Sequence, residues 1–469
     1  IVSMKSALPN PNPPSKKELL KLIKSGKPSD YAVFLKEHHE ADIAEGLETL
    51  PPQSRHHFFK KINPEITADI LEEMKLEQQL QIISTLKISL AAKYIEEMNP
   101  DDAVDLLEEL QEENEIKAQK IIKALPQKEA HELTELLSYP EDSAGALMTP
   151  EVISLPENLT IQEAINSIKK KKPPNSEISF YSYIVNKNNE LLGYATLRDI
   201  LLQSPKKKIK EMRNNHPISV HVLTDQEEVA KLFQKYDVIA LPVVNDNNQL
   251  MGLITVDDIV DVVVEEATED LYKLSGTSDI DENKLLSGNI FHSIISRSPW
   301  LLLTIVGGIL ASVIITKYAD LYDAALFPLA LSLSFIPMLM GLGGNVGNQS
   351  ATIIVRGLST GHLKNKPSYY HITREIIIGF IIGCLVGSSV FIFNIITKQS
   401  ILFSGIVSLS LITNITVASL IGTSLPLLFN KLKIDPAVAS APFISTALDL
   451  IGQLIYFSLT LLIISYLGG

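Results

Sequence analysis

The 469-residue sequence has a single cysteine, Cys384. One thiol cannot build a disulfide framework or a cysteine-based zinc site, and so cysteine-poor a chain suits a reducing compartment. Its first twenty residues, IVSMKSALPNPNPPSKKELL, lack an apolar core of signal-peptide length, so the polar part of the chain is expected to stay in the cytoplasm. Residues 1–14, rich in Pro and Asn, read as disordered. Charge is scarce in the last third: from residue 291 there are nine Lys/Arg and five Asp/Glu, a net +4. The whole chain carries −13, so residues 1–290 carry −17. Such an acidic body argues against nucleic-acid binding, which rests on Lys/Arg neutralising phosphates. Divalent cations fit it better. At roughly 150 residues per domain, the length predicts about three domains.

Four segments between residues 15 and 145 read alike: ADIAEGLETL from Ala41, ADILEEM from Ala68, AAKYIEEM from Ala91 and AVDLLEEL from Ala103. Each puts apolar residues at helical spacing with Glu opposite, and Pro or polar turns separate them. The spacing predicts short helices in a superhelical stack, a form suited to a binding or regulatory surface. Asp101, Asp102 and Asp105 open one of these helices, where acids also favour the first turn.

A sharper repeat follows. NKNNELLGYATLRDIL from Asn186 aligns without gaps to NDNNQLMGLITVDDIV from Asn245, and the stretches upstream match as well. Two tandem β-α-β-β-α modules are predicted, over 146–209 and 210–270, and the pattern resembles a pair of CBS domains. That resemblance implies ribose contacts of an adenine nucleotide at Gly193, Thr196 and Asp199, and at Gly252, Thr255 and Asp258. Tyr181, Arg198 and Pro242 are further nucleotide-binding candidates, with ATP as the candidate ligand. Val238 stands where an adenine-stacking aromatic is expected. The alternative is that each Thr and Asp only caps the next helix.

The helix that ends the second module continues as VDDIVDVVVEEATEDLYKL and carries Asp257, Asp258, Asp261, Glu265, Glu266, Glu269 and Asp270. Spacings of three and four put Asp258, Asp261 and Glu265 on one face, where like charges repel unless a cation or a basic partner neutralises them. Hard divalent cations prefer such oxygens, and a solvated acidic face is the alternative. Residues 271–297 read as a connecting helix.

Apolar runs long enough to cross a bilayer are expected at 299–316, 324–341, 376–396, 401–429 and 437–467, making 298–469 a five-span domain. With the N-terminus inside, seven Lys/Arg fall on the cytoplasmic side and two outside, as the positive-inside rule asks, and the C-terminus is external. Asp449 lies in the middle of the last span, where a carboxylate is costly unless it faces a wet cavity or a bundle interior. With nearby hydroxyls and carbonyls it could hold a hydrated Mg²⁺ through its water shell. The run FIPMLMGLGGNVGNQSATIIVRGL from Phe335 lacks the Gly-Lys-Ser/Thr of a phosphate loop. It fits close helix packing or a broken helix beside a pore, with Asn345, Asn348 and Gln349 as polar groups for neighbouring helices.

Taken together, these parts resemble the MgtE family of magnesium channels over nearly the whole chain. The motifs that carry the likeness are Pro337, GLGGNVGNQSA from Gly341, Arg356, Asp435-Pro436 and PFISTALD ending at Asp449. The expected architecture is an all-α helical N domain, tandem α/β CBS domains, an acidic connecting helix and five transmembrane helices. The resemblance implies a homodimer in the inner membrane whose two Asp449 side chains meet at the pore. It also implies a cytosolic Mg²⁺ sensor that closes the pore, mapped here to Asp101, Asp105, Asp225, Glu227, Asp237, Asp258, Asp261, Glu266, Glu269, Asp270 and Asp435. Ala441 stands before the Pro of the last span, where some members carry Asn. Two rival classes share these features: a gradient-coupled secondary transporter using Asp449, and a membrane-tethered nucleotide receptor. An enzyme is not expected, since no nucleophile–base arrangement is present and the ten histidines are scattered.

Overall fold

The computed structural model describes residues 13–171, 181–211, 217–277, 285, 290–324, 332–365, 367–439 and 441–467. Two compact units result, Ile1–Val263 and Val264–Gly469. Residues 1–12 of the segment expected to be disordered, and 278–284 and 286–289 of the expected connecting helix, lie outside the described residues.

In the first unit, nine helices precede the first strand among the described residues: α1 (Lys16–Ser25), α2 (Pro28–Glu37), α3 (Glu40–Glu48), α4 (Pro52–Phe59), α5 (Pro64–Glu72), α6 (Leu76–Thr85), α7 (Ile88–Glu97), α8 (Pro100–Ile122) and α9 (Gln127–Leu136). Pro opens α2, α4, α5 and α8, where its fixed φ suits the first turn and its missing N–H costs nothing. The four look-alike segments fall in α3, α5, α7 and α8. In α7, Ala91, Ala92, Tyr94 and Ile95 turn inward as the spacing requires. In α5, Thr67, Ala68, Ile70 and Leu71 do the same. The long α8 bends at Asn114 (φ −154°, ψ 76°), whose Oδ1 then accepts from Lys117 N at 3.1 Å and restarts the helix.

Two three-stranded sheets follow. In the first, β1 (Ser154–Pro156) pairs parallel with β2 (Tyr181–Val185), which pairs antiparallel with β3 (Leu191–Thr196). The second repeats this with β4 (Val220–His221), β5 (Ala240–Val244) and β6 (Leu250–Thr255). Helices α10 (Ile161–Lys171), α11 (Leu197–Leu202), α12 (Gln226–Tyr236) and α13 (Val256–Ser275) complete the modules. The two modules clasp through equivalent turns. Asn189 and Asn248 both take positive φ (63° and 57°), which Asn tolerates better than most side chains. Asn189 Nδ2 donates to Leu250 O at 2.8 Å and Asn248 Nδ2 to Leu191 O at 3.0 Å, so each turn is bonded to the other copy's last strand.

The second unit holds α14 (Ile290–Ala324), α15 (Ile336–Ser359), α16 (Ser368–Ile396), α17 (Ile401–Lys431) and α18 (Ala441–Leu467). Among the described residues, α14, α16, α17 and α18 contain segments long and apolar enough to cross a membrane. The expected span at 324–341 lies partly outside the described residues, and α15 instead carries the whole Gly/Asn run as one unbroken helix. Of the two readings of that run, close packing holds. A Cβ on Gly343 would meet Asn414 Nδ2 at 2.8 Å, and one on Gly422 of α17 would collide with the Gly347 carbonyl. Gly379, Gly383 and Gly387 play the same part between α16 and α17. Small residues at every fourth position let apolar helices approach where no hydrophobic effect drives them together.

Candidate functional site

In the first unit the α8 start and the first turn of α13 bring acids together. Asp258 accepts from Thr255 Oγ1 at 2.7 Å and from Thr255 N at 3.3 Å, so this Thr–Asp pair caps α13. Burial, then the neighbouring Asp258 and Asp105, push Asp101 well above the usual carboxylate range. Its Oδ1 is buried with no hydrogen-bond partner. Asp258 is raised to about 6 by burial, with Asp257 and Asp261 adding to the shift. Two further acids belong to the cluster: Asp102, read from sequence only as an acid of a helix's first turn, and Glu72, not singled out there. Asp102 is raised to about 9 by burial and by Asp101 and Glu72. Glu72 of α5 is raised to about 7 by burial, although it accepts from Asn99 N at 2.5 Å and Asn99 Nδ2 at 3.1 Å. Glu72 stands 27 residues before Asn99, and only the helical stack reveals the contact.

Asp105 and Asp261 adjoin the cluster, and the remaining sensor candidates of this unit cap or sit on α12. Asp225 caps α12 by accepting from Glu227 N at 2.9 Å, Glu227 pairs with Lys231 at 2.7 Å, and Asp237 ends the same helix with a φ of 49°. Asp261 is exposed on α13. Among the described residues no three His, Cys, Asp or Glu side chains form a ready-made metal cage.

A small cleft opens between the two modules, lined by Tyr181, Tyr183, Tyr194, Val238, Leu241 and Pro242 among others. Tyr181 and Tyr194 meet edge to face at 5.4 Å. Burial raises the Tyr183 phenol, and its hydroxyl is buried without a partner. Thr196 donates to Asp199 Oδ2 at 2.6 Å and accepts from Asp199 N at 3.1 Å, the capping arrangement, while Arg198 is exposed.

In the second unit Asp449 is half-buried on α18, which packs against the glycine face of α15. One turn before it, Ser445 Oγ accepts from Asn348 Nδ2 at 3.0 Å, and Asn348 Oδ1 is buried without a partner. Asn345 and Gln349 point to the exposed side of α15. One turn after Asp449, Gln453 Nε2 lies 3.4 Å from Met340 Sδ, while Asn414 Nδ2 donates to Leu339 O at 2.8 Å. Polar side chains of α15, α17 and α18 thus converge on the two turns flanking Asp449. At the end of α13, Glu269 and Asp435 both bind Lys273, and Asp270 Oδ2 accepts from Ser359 Oγ at 2.8 Å. Gly276 follows with a φ of 79°, and a Cβ there would come within 2.5 Å of Pro442 Cγ. Glu266 lies on the same helix, one turn before Asp270.

This arrangement matches known proteins along the chain. Residues 336–459 match the family described as MgtE, divalent cation transporter, residues 38–142 the MgtE intracellular N domain, and residues 144–205 and 209–265 the CBS domain. The magnesium transporter MgtE of Bacillus subtilis (strain 168) is 32% identical over 93% of this chain and 95% of its own length. The chain belongs to the MgtE family. The magnesium transporter MgtE of Enterococcus faecalis is 34% identical over 96% of this chain and 97% of its own. A crystal structure of the cytosolic domain of the Mg²⁺ channel MgtE in complex with ATP covers 53% of this chain and 99% of that one, at 30% identity and a TM-score of 0.50. MgtE relatives are thus magnesium transporters by name, and the helical N domain, the CBS pair and the apolar C-terminal helices are the parts this chain shares with them.

Proposed function

We propose that the chain is a Mg²⁺ channel that admits the hydrated ion past Asp449 and closes when intracellular Mg²⁺ fills its acidic cytosolic part. The observation that carries this is Asp449 itself: a carboxylate half-buried in the last span, flanked by Ser445, Asn348 and Gln453 rather than by a basic residue. A hard cation keeps its water, and one carboxylate with amides and hydroxyls around it can hold that water shell without stripping it. One side chain cannot surround a hydrated ion, so we place two copies of Asp449 across a homodimer axis. The soluble part faces the cytoplasm, as the basic loops require.

The sensor reading rests on the cluster at α8 and α13. Asp101, Asp102, Glu72 and Asp258 raise one another's affinity for positive charge, and Asp101 Oδ1 has no donor. A divalent cation suits that donor set. Bound Mg²⁺ offsets the repulsion of the −17 body and favours a compact, closed arrangement, which α13 relays to the pore helices. Asp105, Asp225, Glu227, Asp237, Asp261, Glu266, Glu269, Asp270 and Asp435 are the further proposed sensor acids. The tyrosine-lined cleft supports ATP as a modulator, stacking on Tyr181 or Tyr194 against Pro242, with Thr196, Asp199 and Arg198 in reach of ribose and phosphate. The ATP complex of the related cytosolic domain points the same way.

The deciding experiment compares wild type with Asp449→Ala in liposomes while Mg²⁺ on the cytoplasmic side is varied. Wild-type flux should be shut by internal Mg²⁺ and be lost in the variant. Equal flux from both would remove Asp449 from the ion path.

A further inference from the structure

A second carboxylate is buried in the membrane unit, away from Asp449. Glu375, in the second turn of α16, is only 6% exposed, and Ser350 Oγ of α15 donates to its Oε2 at 3.2 Å. No Lys, Arg or His forms an ion pair with it among the described residues. Two hydroxyls of the neighbouring α17 are buried as well. Ser419 and Thr423 are 1% and 0% exposed, and the oxygens of both are buried without any hydrogen-bond partner.

Their position follows from the glycines. A Cβ on Gly379 would collide with Ser419 Oγ, while Gly383 abuts Ile412 and Gly387 abuts Ser408, so α16 and α17 run antiparallel. One turn back along α16 from Gly379 is Glu375, and one turn on along α17 from Ser419 is Thr423. On the third side Gly347 of α15 touches Gly422, which puts Ser350 at the level of Thr423. Four oxygen-bearing side chains from three helices are therefore placed at one level, one carboxylate and three hydroxyls.

We propose that Glu375, Ser350, Ser419 and Thr423 form a binding site for a sodium ion. An all-oxygen set selects a hard cation over a soft one. Charge decides between monovalent and divalent. One carboxylate neutralises one positive charge, whereas a divalent ion would leave a net charge in an apolar bundle, at a cost of several kcal/mol or more by the usual order of magnitude. Space decides between alkali ions. The close glycine contact of α16 with α17 favours the smaller sodium over potassium. The two free hydroxyls also need an occupant, since a buried polar oxygen without a partner costs about 1–3 kcal/mol.

The test uses full-length protein in nanodiscs with divalent ions chelated, so it does not depend on channel activity. Thermal unfolding is followed in sodium, potassium or N-methyl-D-glucamine chloride at equal ionic strength. Sodium should raise the wild-type midpoint by at least about 2 °C over N-methyl-D-glucamine, and potassium by less. Glu375→Gln should abolish the rise and Thr423→Val should shrink it. The near-isosteric Thr423→Val carries the test should Glu375→Gln fail to fold. No sodium-dependent rise in wild type, an equal rise in both variants, or an equal rise with potassium overturns the proposal. A rise that follows falling pH and ignores sodium assigns the charge to a proton and overturns it too.

Discussion

Lys273 Nζ lies 2.7 Å from Asp435 Oδ2, and Glu269 grips the same ammonium from one turn earlier on α13. Asp435 is doubly used, because its Oδ1 accepts from Ala437 N at 2.8 Å and so shapes the turn that leads into α18. Burial disfavours the charge on Lys273, but the two carboxylates outweigh it and raise its pKa. Replacing it with Met leaves two acids face to face. Lys273→Met should cost about 1–2 kcal/mol, between the values for exposed and buried pairs. Added Mg²⁺ should recover part of the loss. Unchanged thermal midpoints without Mg²⁺ would show that the pair contributes nothing.

Removing repelling acids in the first unit should have two opposite signs. Asp101→Asn with Asp258→Asn relieves buried like charges, so the protein should become more stable without Mg²⁺, by about 1–2 kcal/mol. The same pair should weaken closure by internal Mg²⁺. Thermal melts with and without Mg²⁺ alongside flux titrations check both signs. Unaltered inhibition would detach this cluster from gating.

Stability of the first unit should also fall as pH rises. Glu72 and Asp102 have folded-state pKa values raised to about 7 and about 9. An acid with a raised folded pKa binds protons more tightly when folded, so its contribution is fully present below the unfolded pKa and is lost as pH climbs through the folded value. The midpoint should therefore drop between pH 5 and 9, and Glu72→Gln should flatten the lower half of that drop. A midpoint that is level or rising over this range in chelator contradicts the buried-acid account.

Close approach of α15 to the Asp449 helix should be intolerant of bulk. A Cβ at Gly347 would collide with Leu448 Cδ1 and stand 3.3 Å from Ile444 Cγ2. Gly347→Val should cost about 1–3 kcal/mol by overpacking and reduce flux more than surface expression. Normal flux in this variant would mean that the α15–α18 seam does not shape the path.

The domain plan was legible because each part carries its own periodicity. The helices α3, α5, α7 and α8 and the doubled β-turn-β pattern follow from local spacing, and Asp449 stood out as an acid in an apolar run. Contacts distant in sequence were not legible. Glu72 joins Asp101 and Asp102 only through the helical stack, and Glu375 sits beside Arg374 near a span end, where it reads as a boundary residue. Helical phase alone could have separated Asn348 from Asn345 and Gln349, since the latter two share a face four residues apart. The extent of α15 was not legible, because hydropathy marks where a segment is apolar, not where a helix begins, here at Ile336.

The crossed turns at Asn189 and Asn248 bear on how the chain can be cut. Each module's turn backbone is completed by the other: Leu191 N donates to Asn248 O at 2.8 Å and Leu250 N to Asn189 O at 2.9 Å. A fragment ending between the modules would strand these groups and bare the face of Tyr183, Val185, Leu191, Val244, Leu250 and Leu253, which pack as one cluster. Neither half is expected to fold on its own. The smallest stable piece holds both, and an isolated half in solution should recover its missing partner by pairing with another copy of itself.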